Sequence, residues 1–131
     1  MEDRYKKGME ILKMTNKGAI EDLFEELDDV APDLGRFVVE FPYAEIYTRD
    51  TLDLKTRELI TIATLTTLGN AETQLIDHIN GALNVENSPE EIIEVMMQIS
   101  AYAGFPAAIN GVKIAKEVFK KRGLLPLKSN K

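Results

Sequence analysis

Apolar residues recur through most of this chain at intervals of three and four positions, the spacing that places them on one side of an α-helix. The first run carries Tyr5, Met9 and Leu12 on a narrow stripe. It predicts a short helix over residues 3–12 that must pack against another element. The polar segment Thr15–Gly18 then predicts a break.

The helical spacing repeats twice before residue 42, first in Ile20, Leu23, Phe24 and Leu27, and then in Leu34, Phe37, Val38 and Phe41. Pro32 separates these two helices because proline disfavours helical backbone at the residue before it. Pro42 interrupts the second set. The segment from there through Tyr47 is either a kinked continuation or a separate short helix.

A fourth helix is predicted after a polar loop at residues 48–53. Asp53 can cap it by accepting a hydrogen bond from a free backbone N–H, so the helix starts near Leu54. The stretch Leu59–Leu68 is rich in β-branched residues and would also suit a buried strand. Its length favours a buried helix.

Three further helices follow, separated by strong boundary signals. Gly69 and Asn70 end the fourth helix, and the fifth carries an apolar face next to His78. In the sixth, Ser88 and Glu91 have the spacing of a capping box around Pro89. That helix continues to Gly104, and the seventh extends from Pro106 to Gly123.

No segment shows a strand–turn–strand pattern and no sequence period recurs. We therefore predict an all-α protein, a single-domain helical bundle of about six to seven helices. The domain spans residues 1–131, with its core at about 4–122 and a flexible tail at 123–131.

Composition narrows the functional classes. The chain has 131 residues and a net charge of −6, which argues against a nucleic-acid or anionic-membrane partner. The N-terminus lacks a signal-type apolar core, and no run approaches the roughly 20 apolar residues of a membrane helix. We expect a soluble, cytoplasmic protein. The absence of cysteine excludes disulfides, thiolate nucleophiles and zinc sites of the finger type.

The only histidine of the sequence, His78, is the best acid–base candidate, because histidine exchanges a proton near neutral pH. The alternative is a partly buried histidine with a structural hydrogen bond. Arg57 could hold a substrate carboxylate and Glu58 could relay a proton, although a solvated surface pair is the commoner case. A metal site is not expected, since Leu75 replaces the glutamate of a Glu-x-x-His pair.

Several segments resemble the carboxymuconolactone decarboxylase family in the same order and at similar spacing. They are Arg4-Tyr5 with Gly8, Tyr47-Thr48-Arg49, Leu52-Asp53-Leu54, Lys55-Thr56-Arg57-Glu58-Leu59, His78-Ile79-Asn80-Gly81-Ala82-Leu83-Asn84, Ser88-Pro89-Glu90-Glu91-Ile92 with Glu94, and Tyr102-Ala103-Gly104-Phe105-Pro106-Ala107-Ala108. The resemblance covers roughly residues 4 to 119. The family tends to carry glycines near Pro42 and Ala44 and at the position of Glu86, so this chain departs from it there.

The resemblance implies the helical fold of the alkylhydroperoxidase-like proteins and assembly as a homotrimer or homohexamer. In the peroxidase branch a glutamate of the preceding helix serves a proton relay, and Glu58 matches it with one extra residue allowed near Gly69. The two cysteines of that branch correspond to Ala71 and Gln74 here, so disulfide-based peroxide reduction is excluded.

The resemblance also implies cofactor-free decarboxylation of 4-carboxymuconolactone through a dienolate, as in aromatic compound catabolism. In this hypothesis Arg57 orients the substrate, His78 stabilises the dienolate or delivers the proton, and Glu58 holds the histidine tautomer. Tyr102 and Glu45 are further candidates for substrate binding. Another cofactor-free lyase, hydrolase or isomerase acting on a small lactone or keto acid remains an alternative, as does a non-catalytic oligomeric binding protein.

Overall fold

The computed structural model describes residues 2–128, and in that part of the chain it contains helices and no strand. The α-helices are α1 (Glu2–Met14), α2 (Lys17–Leu27), α3 (Pro32–Val38), α4 (Leu54–Leu68), α5 (Glu72–Asn84), α6 (Pro89–Ala103) and α7 (Phe105–Lys121). A π-helix (Val39–Ile46) follows α3. The predicted all-α class is confirmed.

The described residues form two compact units, with the boundary inside α4 between Arg57 and Glu58. Each unit has its own buried cluster and is described by itself. The predicted limits of the domain stay a prediction. Of the tail predicted to be flexible, residues 129–131 lie outside the described residues, while Leu127 packs against the core of the second unit.

In the first unit, α1 packs closely against the π-helix. Leu12, Ile20 and Val39 form its buried cluster, and the predicted stripe of α1 completes it with Tyr5 and Met9. The short polar helix therefore has the neighbouring apolar surface that its narrow stripe required. Burying such side chains supplies the main favourable term for this packing.

The start of α2 differs from the prediction. The segment Thr15–Gly18 was expected to be a break, but the helix already begins at Lys17. Asn16 is its N-cap, and its side-chain oxygen accepts a hydrogen bond from the Ala19 N–H at 3.1 Å. The break between the two helices is therefore only two residues long, Thr15 and Asn16.

Pro42 does not end the helical backbone, which continues through it as a π-helix. The chain passes from α3 directly into the π-helix, which contains Pro42 within its turns, and the Tyr47 N–H donates to the Pro42 carbonyl at 2.8 Å. In an α-helix the proline ring would meet the carbonyl four residues back, and the bond to that carbonyl would be lost. A wider turn with bonds to the fifth residue accommodates the proline.

The second unit is built around the apolar faces of its helices, with α7 packed against α5 and α6. Its buried cluster consists of Ile62, Leu75, Ile79, Ala82, Ile92, Met96, Ala115, Val118 and Phe119. The segment Leu59–Leu68 is helical, as its length predicted, despite its β-branched residues. Tertiary burial outweighs their weak preference for strands.

The boundaries of α6 follow the predicted signals. The Glu91 N–H donates to Ser88 Oγ at 3.0 Å, and the Ser88 N–H donates to Glu91 Oε1 at 2.8 Å, so the capping box is confirmed. Gly104 ends α6 with a φ of +99°, in a region that side chains disfavour. The seventh helix begins one residue before Pro106, at Phe105.

The contact between α1 and the π-helix depends on Gly8. A Cβ placed at Gly8 would overlap the backbone carbonyl and side chain of Val39, whereas a Cβ at Gly18 of α2 would meet only Asn16 Oδ1 at 3.8 Å. We expect Gly8→Ala to lower the free energy of unfolding by about 1–3 kcal/mol, because the helices must separate. Gly18→Ala should raise it by up to about 1 kcal/mol through helix propensity.

The measurement is urea denaturation of both variants beside the wild-type protein. Equal effects of the two substitutions would show that the close approach at Gly8 contributes nothing to stability.

Candidate active site

The loop before α4 fixes where this helix begins. As predicted, Asp53 caps the helix: its Oδ1 accepts a hydrogen bond from the Thr56 N–H at 2.9 Å. Hydrogen bonds from the backbone and side chain of Thr56, with a smaller contribution from the charge of Lys55, lower the pKa of the Asp53 carboxyl. The cap sets the register of the residues that follow, including Arg57 and Glu58.

Arg57 is buried, and its guanidinium is held by the loop of the first unit. Its Nε donates to the Leu52 carbonyl at 3.1 Å and its Nη2 to the Arg49 carbonyl at 3.0 Å. The solvated surface pair considered for Arg57 and Glu58 is therefore wrong for both residues, which are buried. A role for Arg57 in holding a substrate carboxylate stays a prediction.

Glu58 and His78, twenty positions apart in the chain, meet in the second unit. His78 Nδ1 lies 2.9 Å from Glu58 Oε1, a hydrogen bond between α4 and α5. The Glu58 side chain is 1% exposed and that of His78 is 19% exposed. Glu58 lies one turn before the core residue Ile62 on α4, and His78 directly precedes the core residue Ile79 on α5.

This arrangement defines what the imidazole can do. A carboxylate that accepts from Nδ1–H fixes the ring orientation and leaves Nε2 as the reacting nitrogen. With one ring proton Nε2 is a base, and with two it is an acid or a hydrogen-bond donor. A carboxylate behind a histidine is a recurring arrangement in acid–base catalysis.

The other two predicted residues take no part in this hydrogen bond. Tyr102, near the end of α6, is 90% exposed. Glu45 belongs to the π-helix of the first unit, where its Oε1 lies 2.7 Å from Arg4 Nε. This is an ion pair by distance, but its geometry is not that of a hydrogen bond. The structure thus pairs Glu58 with His78 and places Tyr102 on the surface.

A cavity of about 250 Å³ lies between α4, α5 and α7 in the second unit. Its wall includes Leu75, one turn before His78 on α5, but neither His78 nor Glu58. Thr66 and Lys113 also line it, and sequence reasoning singled out neither. The sequence contained one signal for Thr66: it lies four positions after Ile62 and therefore on the same side of α4 as that buried residue.

Within residues 2–128, no group of three histidine, cysteine, aspartate or glutamate side chains could hold a metal ion. No helix in the same part of the chain is long and apolar enough to cross a membrane. The expectation that the protein needs no metal or cofactor stays a prediction.

The fold and the Glu58–His78 bond together define a class of protein: all-helical proteins in which a histidine is hydrogen-bonded to a carboxylate. The model of the carboxymuconolactone decarboxylase family matches residues 32–117, and the chain belongs to that family. It is 35% identical, over 99% of its length and 97% of the relative's, to a protein of Acinetobacter baylyi (strain ATCC 33305 / BD413 / ADP1) named 4-carboxymuconolactone decarboxylase. The predicted family is confirmed.

A second relative comes from Paracoccus denitrificans and is named an uncharacterized 15.0 kDa protein in the nqo9-nqo10 intergenic region. It is 32% identical over 71% of this chain and 70% of its own length. The similarity of this chain therefore extends to a protein whose name gives no activity.

The Asp53 cap predicts a pH-dependent stability. Because the folded-state pKa of Asp53 is below its ordinary value of about 3.9, the carboxylate stabilises the fold fully above that pH, and the stabilisation is lost as the pH falls through the folded-state value. Asp53→Asn keeps a capping oxygen but removes the charge. We expect it to lower the melting temperature at pH 7 and to have a progressively smaller effect as the pH falls toward 2.

The measurement is thermal unfolding from pH 7 to 2, with Asp50→Asn in the same loop as the control. A difference between wild type and Asp53→Asn that is constant across this range would contradict the assignment.

Proposed function

We propose that this protein is a cofactor-independent decarboxylase of the 4-carboxymuconolactone type, a carboxy-lyase. The observation that carries the proposal is the buried Glu58 carboxylate bonded to His78 Nδ1 at 2.9 Å. The full-length similarity to a relative named 4-carboxymuconolactone decarboxylase supports the choice of substrate. The cysteine-free sequence excludes a thiol peroxidase.

The proposed reaction requires little from the protein besides binding and one proton. The bond between the ring carbon and the departing carboxylate breaks, and carbon dioxide leaves. The electron pair of that bond moves into the unsaturated lactone, which holds it as a dienolate. Protonation of a ring carbon then gives the enol-lactone. The protein must stabilise the oxyanion of the dienolate and supply the proton.

In this proposal His78 stabilises the dienolate oxyanion or supplies the proton. When the imidazole carries two protons, Nε2 donates a hydrogen bond to the dienolate oxygen or transfers its proton to the ring carbon. Glu58 acts as a positioning residue, because it accepts from Nδ1–H and so directs Nε2 toward the substrate. Its burial keeps water from competing for that bond.

The remaining predicted residues have supporting roles. Arg57 orients the substrate carboxylate, and its bonds to the carbonyls of Arg49 and Leu52 hold the guanidinium in a defined position. Tyr102 and Glu45 contribute to substrate binding. Tyr102 is 90% exposed, so its ring is accessible to a substrate or to a neighbouring subunit.

We also propose that the protein self-associates as a homotrimer or homohexamer. Large apolar side chains are exposed around the turn between α6 and α7, among them Met97, Phe105 and Ile109. Exposed apolar side chains are typical of surfaces buried by association where they form a contiguous patch.

The test is the decarboxylation of 4-carboxymuconolactone, followed as loss of substrate absorbance. His78→Ala should reduce kcat about 10²- to 10⁴-fold, the usual contribution of a general acid or base. Glu58→Gln should reduce kcat by a smaller factor with little change in KM, because an amide oxygen accepts from Nδ1–H more weakly than a carboxylate and orients the ring less firmly.

The controls separate loss of function from loss of fold. Removing the imidazole deprives the buried Glu58 carboxylate of its hydrogen bond to His78, which destabilises the protein. His78→Asn keeps an amide N–H for Glu58 and should melt near the wild-type temperature while remaining inactive. Thr73→Ala, on the exposed side of α5, and Glu94→Gln, exposed on α6, should retain full activity.

The outcomes distinguish the alternatives. A rate that His78→Asn leaves unchanged would refute the role of His78. No rate on 4-carboxymuconolactone, with a His78-dependent rate on another small lactone or keto acid, would identify a different cofactor-free lyase, hydrolase or isomerase. Binding without turnover of any of these compounds would indicate a non-catalytic oligomeric protein.

A further inference from the structure

The wall of the cavity between α4, α5 and α7 has an apolar part and a polar part. Leu65, Leu75 and Ile114 present apolar side chains, while Asn110 and Lys113 bring an amide and an ammonium group from α7. A volume of about 250 Å³ is close to the lower end of the range for small-molecule sites, about 300 Å³. An apolar body with one polar end is the kind of molecule that such a wall fits.

Thr66 gives an independent indication of a ligand. It lines the cavity from α4 and is 2% exposed, and its Oγ1 has no hydrogen-bond partner among the described residues. Buried hydroxyl groups in proteins nearly always have a partner, because an unmet one costs free energy. Rotation of the Thr66 side chain about its Cα–Cβ bond would present the buried hydroxyl to the cavity, where a ligand group that accepts from it would remove this cost.

The polar end of the cavity favours a negative charge on that ligand. Ala71 and Glu72 line it, so the N-terminus of the thirteen-residue helix α5 faces the cavity. Ala71 is the N-cap and has no side chain that can accept from the first turn. Lys113 forms no ion pair within residues 2–128. Free N–H groups, a helix dipole and an ammonium group together attract an anion.

We propose that this cavity binds a small organic acid with a single carboxylate. The carboxylate accepts from Lys113 Nζ, from the Thr66 hydroxyl and from the first turn of α5. The apolar part of the acid packs against Leu65, Leu75 and Ile114. This binding site is distinct from the Glu58–His78 pair, and its existence does not depend on the proposed decarboxylase activity.

Glu72 sets the selectivity for one carboxylate. Its own carboxylate lines the same cavity and, within the described part of the chain, does not form an ion pair with Lys113. One bound carboxylate is balanced by Lys113 and the helix dipole, but a second would be repelled by Glu72. A monocarboxylate is therefore favoured over a dicarboxylate of similar size.

Benzoate is the probe, because it combines one carboxylate with an apolar ring of suitable size. In a titration followed by the backbone amide signals of the ¹⁵N-labelled protein, we expect saturable shifts at Gly69, Ala71 and Gly111. The Kd should be on the order of 1 mM, as expected for nine heavy atoms. Benzamide, its neutral counterpart, and phthalate, with two carboxylates, should both bind at least about tenfold more weakly.

Variants with matched controls identify the groups responsible. Lys113→Gln and Thr66→Val should each weaken benzoate binding several-fold, whereas Lys116→Gln on the same helix and Thr64→Val, both exposed, should not. Glu72→Gln should bring phthalate close to benzoate in affinity. His78→Asn should bind benzoate as the wild type does, so this result is independent of the decarboxylase test.

Two results would overturn the proposal. One is the absence of saturable shifts at the cavity amides with benzoate. The other is wild-type affinity in both Lys113→Gln and Thr66→Val, with thermal unfolding showing that each variant is folded.

Discussion

A carboxylate with almost no contact with water organises the second half of this protein. Taking Glu58 out of water costs free energy that only a charged or strongly donating partner can offset. His78 provides that partner through Nδ1 at 2.9 Å. Because Glu58 and His78 lie close in the chain to Ile62 and Ile79, which belong to one buried cluster, the hydrogen bond and that cluster support each other.

The same bond connects stability with the proposed chemistry. A structural hydrogen bond and a catalytic role are often treated as alternatives for a lone histidine. Here the bond that satisfies the buried carboxylate also orients the imidazole and determines which nitrogen reacts. The 19% exposure of the His78 side chain shows that the ring is not closed off from solvent. The same hydrogen bond therefore serves both the structural role and the proposed catalytic role of His78.

Periodicity and capping residues predicted most of the helices, because these signals are local. Asp53 and Ser88 mark helix starts through bonds to residues three positions later. The π-helix around Pro42 was not predictable, since a proline in a helical pattern fits a kink, a break or a wider turn equally well. Glu86 adopts a φ of +76°, in the left-handed region that favours glycine, and the family tends to have glycine there.

Local sequence patterns predicted less of the candidate site than of the fold. Nothing in the spacing of residues places Glu58 beside His78, twenty positions later, and the resemblance to a family supplied that pairing. The cavity near Thr66 and Lys113 depends on how α4 and α7 meet, so no single-helix pattern reveals it. The burial of Arg57 likewise arises from the carbonyls of a preceding loop, which the charge of the residue did not indicate.

The Glu58–His78 bond can be measured directly, because the sequence contains a single histidine. Two-bond ¹H–¹⁵N correlation spectra of the imidazole report which ring nitrogen carries the proton. We expect the neutral ring to carry it on Nδ1, bonded to Glu58, with Nε2 unprotonated, and we expect Glu58→Leu to lose this preference. A neutral ring protonated on Nε2 in the wild-type protein would mean that Glu58 does not accept from His78, and would contradict the account.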